Sequence, residues 1–152
     1  MPQKITPCLW FDDRLEEAAA FYAKTFKGKV KSLTRYPDGR PLVAVVEMLG
    51  LDFQLLNGGP EFTFSEAISF SIDCEDQAEV DYYWNTLTAD GGAESQCSWC
   101  KDKFGLSWQV VPRRLPELIN GPDKEGAGRA MQAMMQMKKI VVADIEKAYA
   151  GT

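Results

Sequence analysis

The chain has 152 residues, 45% hydrophobic and 26% charged, enough apolar material for one globular domain or two small ones sharing a core. Its 17 basic and 22 acidic residues leave a net charge of −5, which disfavours nucleic acid and anionic membrane surfaces as partners. Histidine is absent, which removes Ser-His and Cys-His nucleophiles and every imidazole metal site.

In chain order, Lys4 to Phe11 reads as a first strand, with Pro7, Leu9 and Phe11 alternating against Thr6, Cys8 and Trp10. Asp12-Asp13 opens a helix to about Phe26, with Leu15, Ala18, Ala19, Tyr22 and Phe26 at helical spacing. Gly28 to Tyr36 is a strand, Pro37-Asp38-Gly39 a turn, and Leu42 to Leu49 the next strand. Leu51 to Leu56 follows, broken by Asn57-Gly58-Gly59-Pro60, and a linker spans Glu61 to Glu66. Beyond it, Ile68, Phe70 and Ile72 alternate with Ser69, Ser71 and Asp73 in a strand, and a helix runs from about Asp76 to Ala89. Strands at Glu94 to Cys100 and Leu106 to Val111 are joined through Lys101-Asp102-Lys103-Phe104-Gly105, and Arg113-Arg114 reads as a solvated helix start. One long amphipathic helix is expected from about Ala127 to Tyr149. Its stripe of Ala130, Met134, Met137, Val141, Ile145 and Ala148 suits a core or a dimer seam.

An internal repeat organises these elements. Gly50-Leu51-Asp52-Phe53-Gln54-Leu55-Leu56 and Gly105-Leu106-Ser107-Trp108-Gln109-Val110-Val111 share one pattern of glycine, leucine, small polar, aromatic, glutamine and two aliphatics. Thr6 to Phe26 likewise lies over Ala67 to Leu87, so that Leu9 meets Phe70, Phe11 meets Ile72 and Phe26 meets Leu87. Two copies of a β-α-β-β-β unit, related by pseudo-twofold symmetry and followed by C-terminal helices, give an α+β fold. They fill a single domain: unit one at about 4–60, unit two at about 66–112 and a helical tail at about 113–150.

Several motifs carry less than they first suggest. No apolar run approaches the ~20 residues of a membrane span, and Met1-Pro2-Gln3-Lys4 does not begin a signal peptide, so a cytoplasmic protein is expected. The four cysteines are too few for a disulfide scaffold; Cys8 and Cys74 sit among apolar strand residues, where a thiol acts as a small hydrophobe. Cys97-Ser98-Trp99-Cys100 falls in an expected strand, where residues three apart face opposite ways, so it reads as incidental rather than as a redox or zinc pair. Gly58-Gly59 and Gly91-Gly92 are turn glycines outside any strand-to-helix phosphate loop. No cofactor is expected.

Paired units in this order resemble the vicinal oxygen chelate superfamily of glyoxalases, extradiol dioxygenases and bleomycin-resistance proteins. More narrowly, Phe53 to Pro60, Ala67-Ile68-Ser69-Phe70, Trp84-Asn85, Lys101 to Gln109 and the run Met131 to Lys139 resemble its PhnB-like branch. Many members of that branch carry the label 3-demethylubiquinone-9 3-methyltransferase. The resemblance implies that each unit curls its strands around a cavity, with its helix on the convex side. It also implies that metal-binding members draw ligands from the positions of Thr6, Gln54, Ala67 and Gln109. Alanine cannot ligate, threonine ligates poorly, and neutral amides bind a hard divalent ion more weakly than carboxylates, so no metal is expected there.

Alternation sets Gln54 and Leu56 opposite Phe53 and Leu55, and Gln109 and Val111 opposite Trp108 and Val110. The glutamines either line a ligand cavity or simply hydrogen-bond neighbouring strands. In the first case Thr6, Cys8, Trp10, Gln54, Ser69, Trp99 and Gln109 are the candidate binding residues, with Ser71 beside them. That mixture of aromatics, hydroxyls and amides suits a neutral or weakly polar organic molecule. No general base is evident, since Glu47, Asp52 and Asp73 are not clearly aimed at the glutamines. The expected function is therefore metal-independent binding of a small organic molecule by a homodimer. The competing classes are a metal-assisted lyase, isomerase or dioxygenase, the methyltransferase of the branch's label, and a structural protein with a filled core.

Overall fold

Two four-stranded sheets, each covered on one face by a helix, account for residues up to Pro112 in the computed structural model, which describes residues 2–152. The chain divides between Phe64 and Ser65 into two compact units. The first contains β1 (Cys8–Phe11), α1 (Leu15–Thr25), β2 (Lys29–Arg35), β3 (Pro41–Met48) and β4 (Leu51–Asn57), in the sheet order β1-β4-β3-β2. The second repeats this with β5 (Ser69–Cys74), α2 (Gln77–Thr88), β6 (Ala93–Glu94), β7 (Trp99–Lys101) and β8 (Ser107–Pro112), in the order β5-β8-β7-β6. In both, the first and last strands pair in parallel and the remaining pairs are antiparallel. The fold is α+β, with three further helices after the second sheet: α3 (Arg114–Ile119), α4 (Lys124–Met135) and α5 (Val142–Ala150).

The alternation read from the sequence sorts the two faces of each sheet. Leu9, Phe11, Ala44, Val46, Phe53 and Leu55 are buried on the face that meets Leu15, Ala18, Tyr22 and Phe26 at α1. In the second unit Ile72, Cys74, Trp108 and Val110 are buried against Val80, Tyr83, Trp84 and Leu87 of α2. Each fully buried side chain of this size contributes roughly 1.5–3 kcal/mol, so the helix-facing side dominates the stability of both units.

Four expectations change. The first strand begins at Cys8 and not at Lys4: Pro7 accepts a bond from Gln54 N at 2.8 Å but has no N–H to continue the ladder. Before it, the Gln3 side chain takes over the pairing, donating to Asp52 O at 2.9 Å and accepting from Asp52 N at 3.0 Å. Helix α1 starts at Leu15, beyond Asp12-Asp13, because its cap arrives from β4: Asn57 Oδ1 accepts from Leu15 N at 3.1 Å while Asn57 Nδ2 donates to Pro41 O. The expected strand Glu94 to Cys100 is two strands, β6 and β7, separated by a turn in which Cys97 and Ser98 adopt φ of 55° and 82°.

The fourth change concerns the tail. The single helix expected over 127–149 is two, α4 and α5, interrupted at 136–141. The reason lies in the second unit. The N–H groups of Cys97 and Ser98 donate to the carbonyls of Met137 and Lys138 at 2.8 and 3.0 Å, removing both from a helical ladder. From the first turn of α2, the Gln77 amide donates to Ile140 O at 3.0 Å and accepts from Val142 N at 2.7 Å. That side chain acts as a substitute peptide group and caps α5, whose own N-cap residue makes no side-chain bond. Lys139 also pairs with Asp81 at 2.9 Å. The tail therefore packs in cis, with Leu115, Leu118, Ala130, Ile140 and Ile145 forming its core. No helix among the described residues is long and apolar enough to cross a membrane.

Gln77→Ala strips partners from Ile140 O and Val142 N together, and is expected to cost about 1–3 kcal/mol in chemical denaturation. Hydrogen exchange at the Val142 amide should accelerate in the same variant. An exchange rate equal to wild type would show that the tail docks without this clamp.

Candidate functional site

In the first unit the face turned away from α1 carries Cys8, Trp10, Gln54 and Leu56. Cys8 and Gln54 are register partners across the parallel pair β1/β4, and both are exposed. Trp10 is already engaged. Its Nε1 donates to Gly59 O at 2.8 Å and its ring meets Phe62 edge-on at 5.0 Å. Gly58 lies so close beneath that an added Cβ would stand 2.3 Å from the indole, so only glycine fits there. Thr6 precedes the strand and is exposed in the leading segment.

Sequence reasoning missed a cavity of about 400 Å³ at the C-terminal ends of β1 and β4. Asp12, Asp13, Tyr36, Arg40 and Asn57 are among its lining residues, with Arg40 stacked 4.8 Å from the Tyr36 ring centroid. The turn residues after β1 and β4 were read as punctuation, and nothing in their spacing shows that Tyr36 and Arg40 close over them. Gln54 lines neither this cavity nor the one described next.

In the second unit Ser71, Gln109 and Trp99 fall on one row of register across β5, β8 and β7. Gln109 Nε2 donates to Ser69 Oγ at 3.0 Å, which fixes the amide and leaves its carbonyl oxygen without a partner among the described residues. Two residues back on the same face, Ser107 Oγ is buried with no partner among the described residues. Trp99 and Gln109 together floor a cavity of about 300 Å³ whose opposite wall is made by Leu115, Ile119 and Met134 of the tail. Thus Ser69, Trp99 and Gln109 are brought together as the strand alternation requires. The contribution of the tail was not legible, because it depends on the helix break.

Carboxylates offer little chemistry at either face. Asp52 pairs with Lys31 at 2.8 Å, and Asp73 with Arg113 at 2.9 Å. Asp102 is buried, but every oxygen of its carboxylate is used: Oδ1 accepts from the N–H groups of Phe104 and Leu106, and Oδ2 from Trp108 Nε1 at 2.9 Å. It organises the β7–β8 loop. Burial, reinforced by the Asp102 and Glu94 carboxylates, pushes the Cys100 thiol up to about 12, and burial with Glu79 and Asp73 nearby does the same to Cys74. Burial holds both thiols protonated at neutral pH, which lowers the nucleophilicity of Cys100 in the C-x-x-C.

Among the described residues no three His, Cys, Asp or Glu side chains are grouped to hold a metal ion. Thr6, Ala67, Gln54 and Gln109 offer an exposed threonine hydroxyl, an alanine and two neutral amides, one of them committed to Ser69. That donor set does not fit a hard divalent ion.

Residues 3–111 match the sequence model of the family described as 3-demethylubiquinone-9 3-methyltransferase. The chain belongs to that family. Among solved structures it is similar to the PhnB protein from Bacillus cereus, at 30% identity and a TM-score of 0.67, over 72% of this chain and 99% of that one. The fold is shared with a glyoxylase/bleomycin resistance protein/dioxygenase domain from Frankia sp. EAN1pec, at 16% identity and a TM-score of 0.54, covering 74% of this chain and 92% of that one. It is shared too with the fosfomycin resistance protein FosX from Listeria monocytogenes, at 14% identity and a TM-score of 0.54, covering 74% and 93%. The last two likenesses show a shared fold. No curated protein matches the chain.

The thiols provide a check on the geometry. Maleimide at pH 8 should label exposed Cys8 in the native protein while Cys74 and Cys100 stay unmodified until denaturant is added, as read by peptide mass spectrometry. Labelling of Cys100 as fast as Cys8 would contradict the burial described for β7.

Proposed function

We propose that this protein binds a small organic molecule without the help of a metal ion. The observation that supports this best is the cavity on the open face of the second sheet, which Gln109 lines together with Trp99. Its volume lies at the lower end of the range for small-molecule sites, and its few polar groups sit among apolar walls, as binding pockets require. A neutral amide fixed by a neighbouring hydroxyl recognises a ligand by hydrogen bonding and holds no charge with which to activate one.

Methyl transfer, which the family's description names, finds no support in the residues. The two strand-to-helix turns carry Asp12-Asp13-Arg14 and Glu75-Asp76, acidic and free of glycine, in units whose sheets are not doubly wound. Binding without chemistry is the simpler reading of this site.

Native mass spectrometry of the purified protein tests it. A small molecule should co-purify with the wild-type chain and be depleted, though not absent, in the Gln109→Ala variant, while S-adenosylmethionine at micromolar concentration leaves the melting temperature unchanged. Tight S-adenosylmethionine binding, or the absence of any co-purifying molecule from the wild-type chain, would overturn this assignment.

A further inference from the structure

The family match ends at Val111, yet four of the nine residues lining the cavity on the second sheet come after it. Leu115, Ile119 and Met134 come from α3 and α4; α3 follows β8 directly and packs on α4, and the segment after α4 is tied to the sheet by the bonds from Cys97 and Ser98 to the carbonyls of Met137 and Lys138. The turn that makes these bonds also supplies cavity lining, since Cys97 and Ser98 line it next to Trp99. Cavity and tail docking share one structural element.

The lining has three properties that define an occupant. No charged side chain is present, so an ionised ligand would lose its hydration with no countercharge to offset the loss. The walls are one indole ring and a set of aliphatic and thioether side chains, which favour a flat apolar body, with Met134 able to adjust to its shape. The one amide at the floor has its nitrogen bound to Ser69, which leaves an acceptor. We infer that the tail completes a site on the second unit for a neutral, flat, largely apolar molecule that donates a single hydrogen bond to Gln109 Oε1. This inference rests on the small-molecule reading and adds to it both the ligand's chemistry and the role of α3 and α4.

The probe is 2-naphthol, with 2-methoxynaphthalene as the analogue that cannot donate. Titration of the full chain, followed by calorimetry and by the indole N–H resonance of Trp99, should show saturable one-to-one binding of 2-naphthol. Binding should be about tenfold tighter than that of the methyl ether, the worth of one hydrogen bond. Gln109→Leu should abolish the preference while both probes still bind. Met134→Trp should block both probes, with Ile119→Trp as a second blocking variant should the first not fold by circular dichroism. Failure of 2-naphthol to bind, equal affinities of the two probes for the wild type, or unchanged binding in a folded blocking variant would each overturn the inference. If 2-naphthol instead perturbs the Cys8 and Gln54 resonances, the tail site is wrong while small-molecule binding by this protein stands. If no probe binds and nothing co-purifies, both fail together.

Discussion

A four-stranded sheet covered by one helix has a second face to dispose of, and the placement of both repeat glutamines follows from how it does so. The covered faces are ordinary: alternate residues of β4 and β8 bury Phe53, Leu55, Trp108 and Val110 against α1 and α2. The uncovered faces carry Cys8, Trp10 and Gln54 in one unit and Ser69, Trp99 and Gln109 in the other. Because strand side chains alternate strictly, the packing that buries the aromatic of each repeat forces the glutamine to the opposite side. The glutamines are displayed as a consequence of the core.

The two units then diverge. In the first, the open face stays accessible at Gln54, and Trp10 is drawn aside by Gly59 and Phe62. In the second, the tail returns to the sheet and forms one wall of an open cavity at Gln109. The return depends on two unusual local features, non-glycine residues at positive φ in the β6–β7 turn and a side-chain amide standing in for a peptide at the start of α5. Backbone strain of this kind persists only when its surroundings repay it. Here the turned-out N–H groups of Cys97 and Ser98 gain partners that no regular strand could have offered them.

Much of the fold was legible because it is periodic. The repeat, the strand alternation and the helical stripes fixed the two βαβββ units, the identity of the buried face and the grouping of Ser69, Trp99 and Gln109. The remainder depends on single long-range bonds that leave no periodic trace. Asn57 reads as a turn residue until Leu15 N is seen to need an acceptor, and Gln77 reads as an exposed helical residue until it is found holding Ile140 and Val142. The methionine stripe from Ala130 to Ala148 is continuous in sequence, and the competition of Cys97 and Ser98 for the carbonyls of residues 137 and 138, with Gln77 holding Ile140 and Val142, breaks the helix that it implies. The first unit's cavity was missed for the same reason, since Arg40 reaches it by stacking on Tyr36.

The proposal of recognition without a metal rests on donor chemistry: an exposed threonine and an alanine just ahead of β1 and β5, and two neutral amides on β4 and β8, make a poor set for a hard divalent ion. Elemental analysis of the purified chain after extensive dialysis tests that proposal most directly. Recognition without a metal predicts divalent ion content far below one per chain, with no rise in melting temperature on adding manganese, nickel, iron or zinc. Retention of close to one such ion per chain would contradict it.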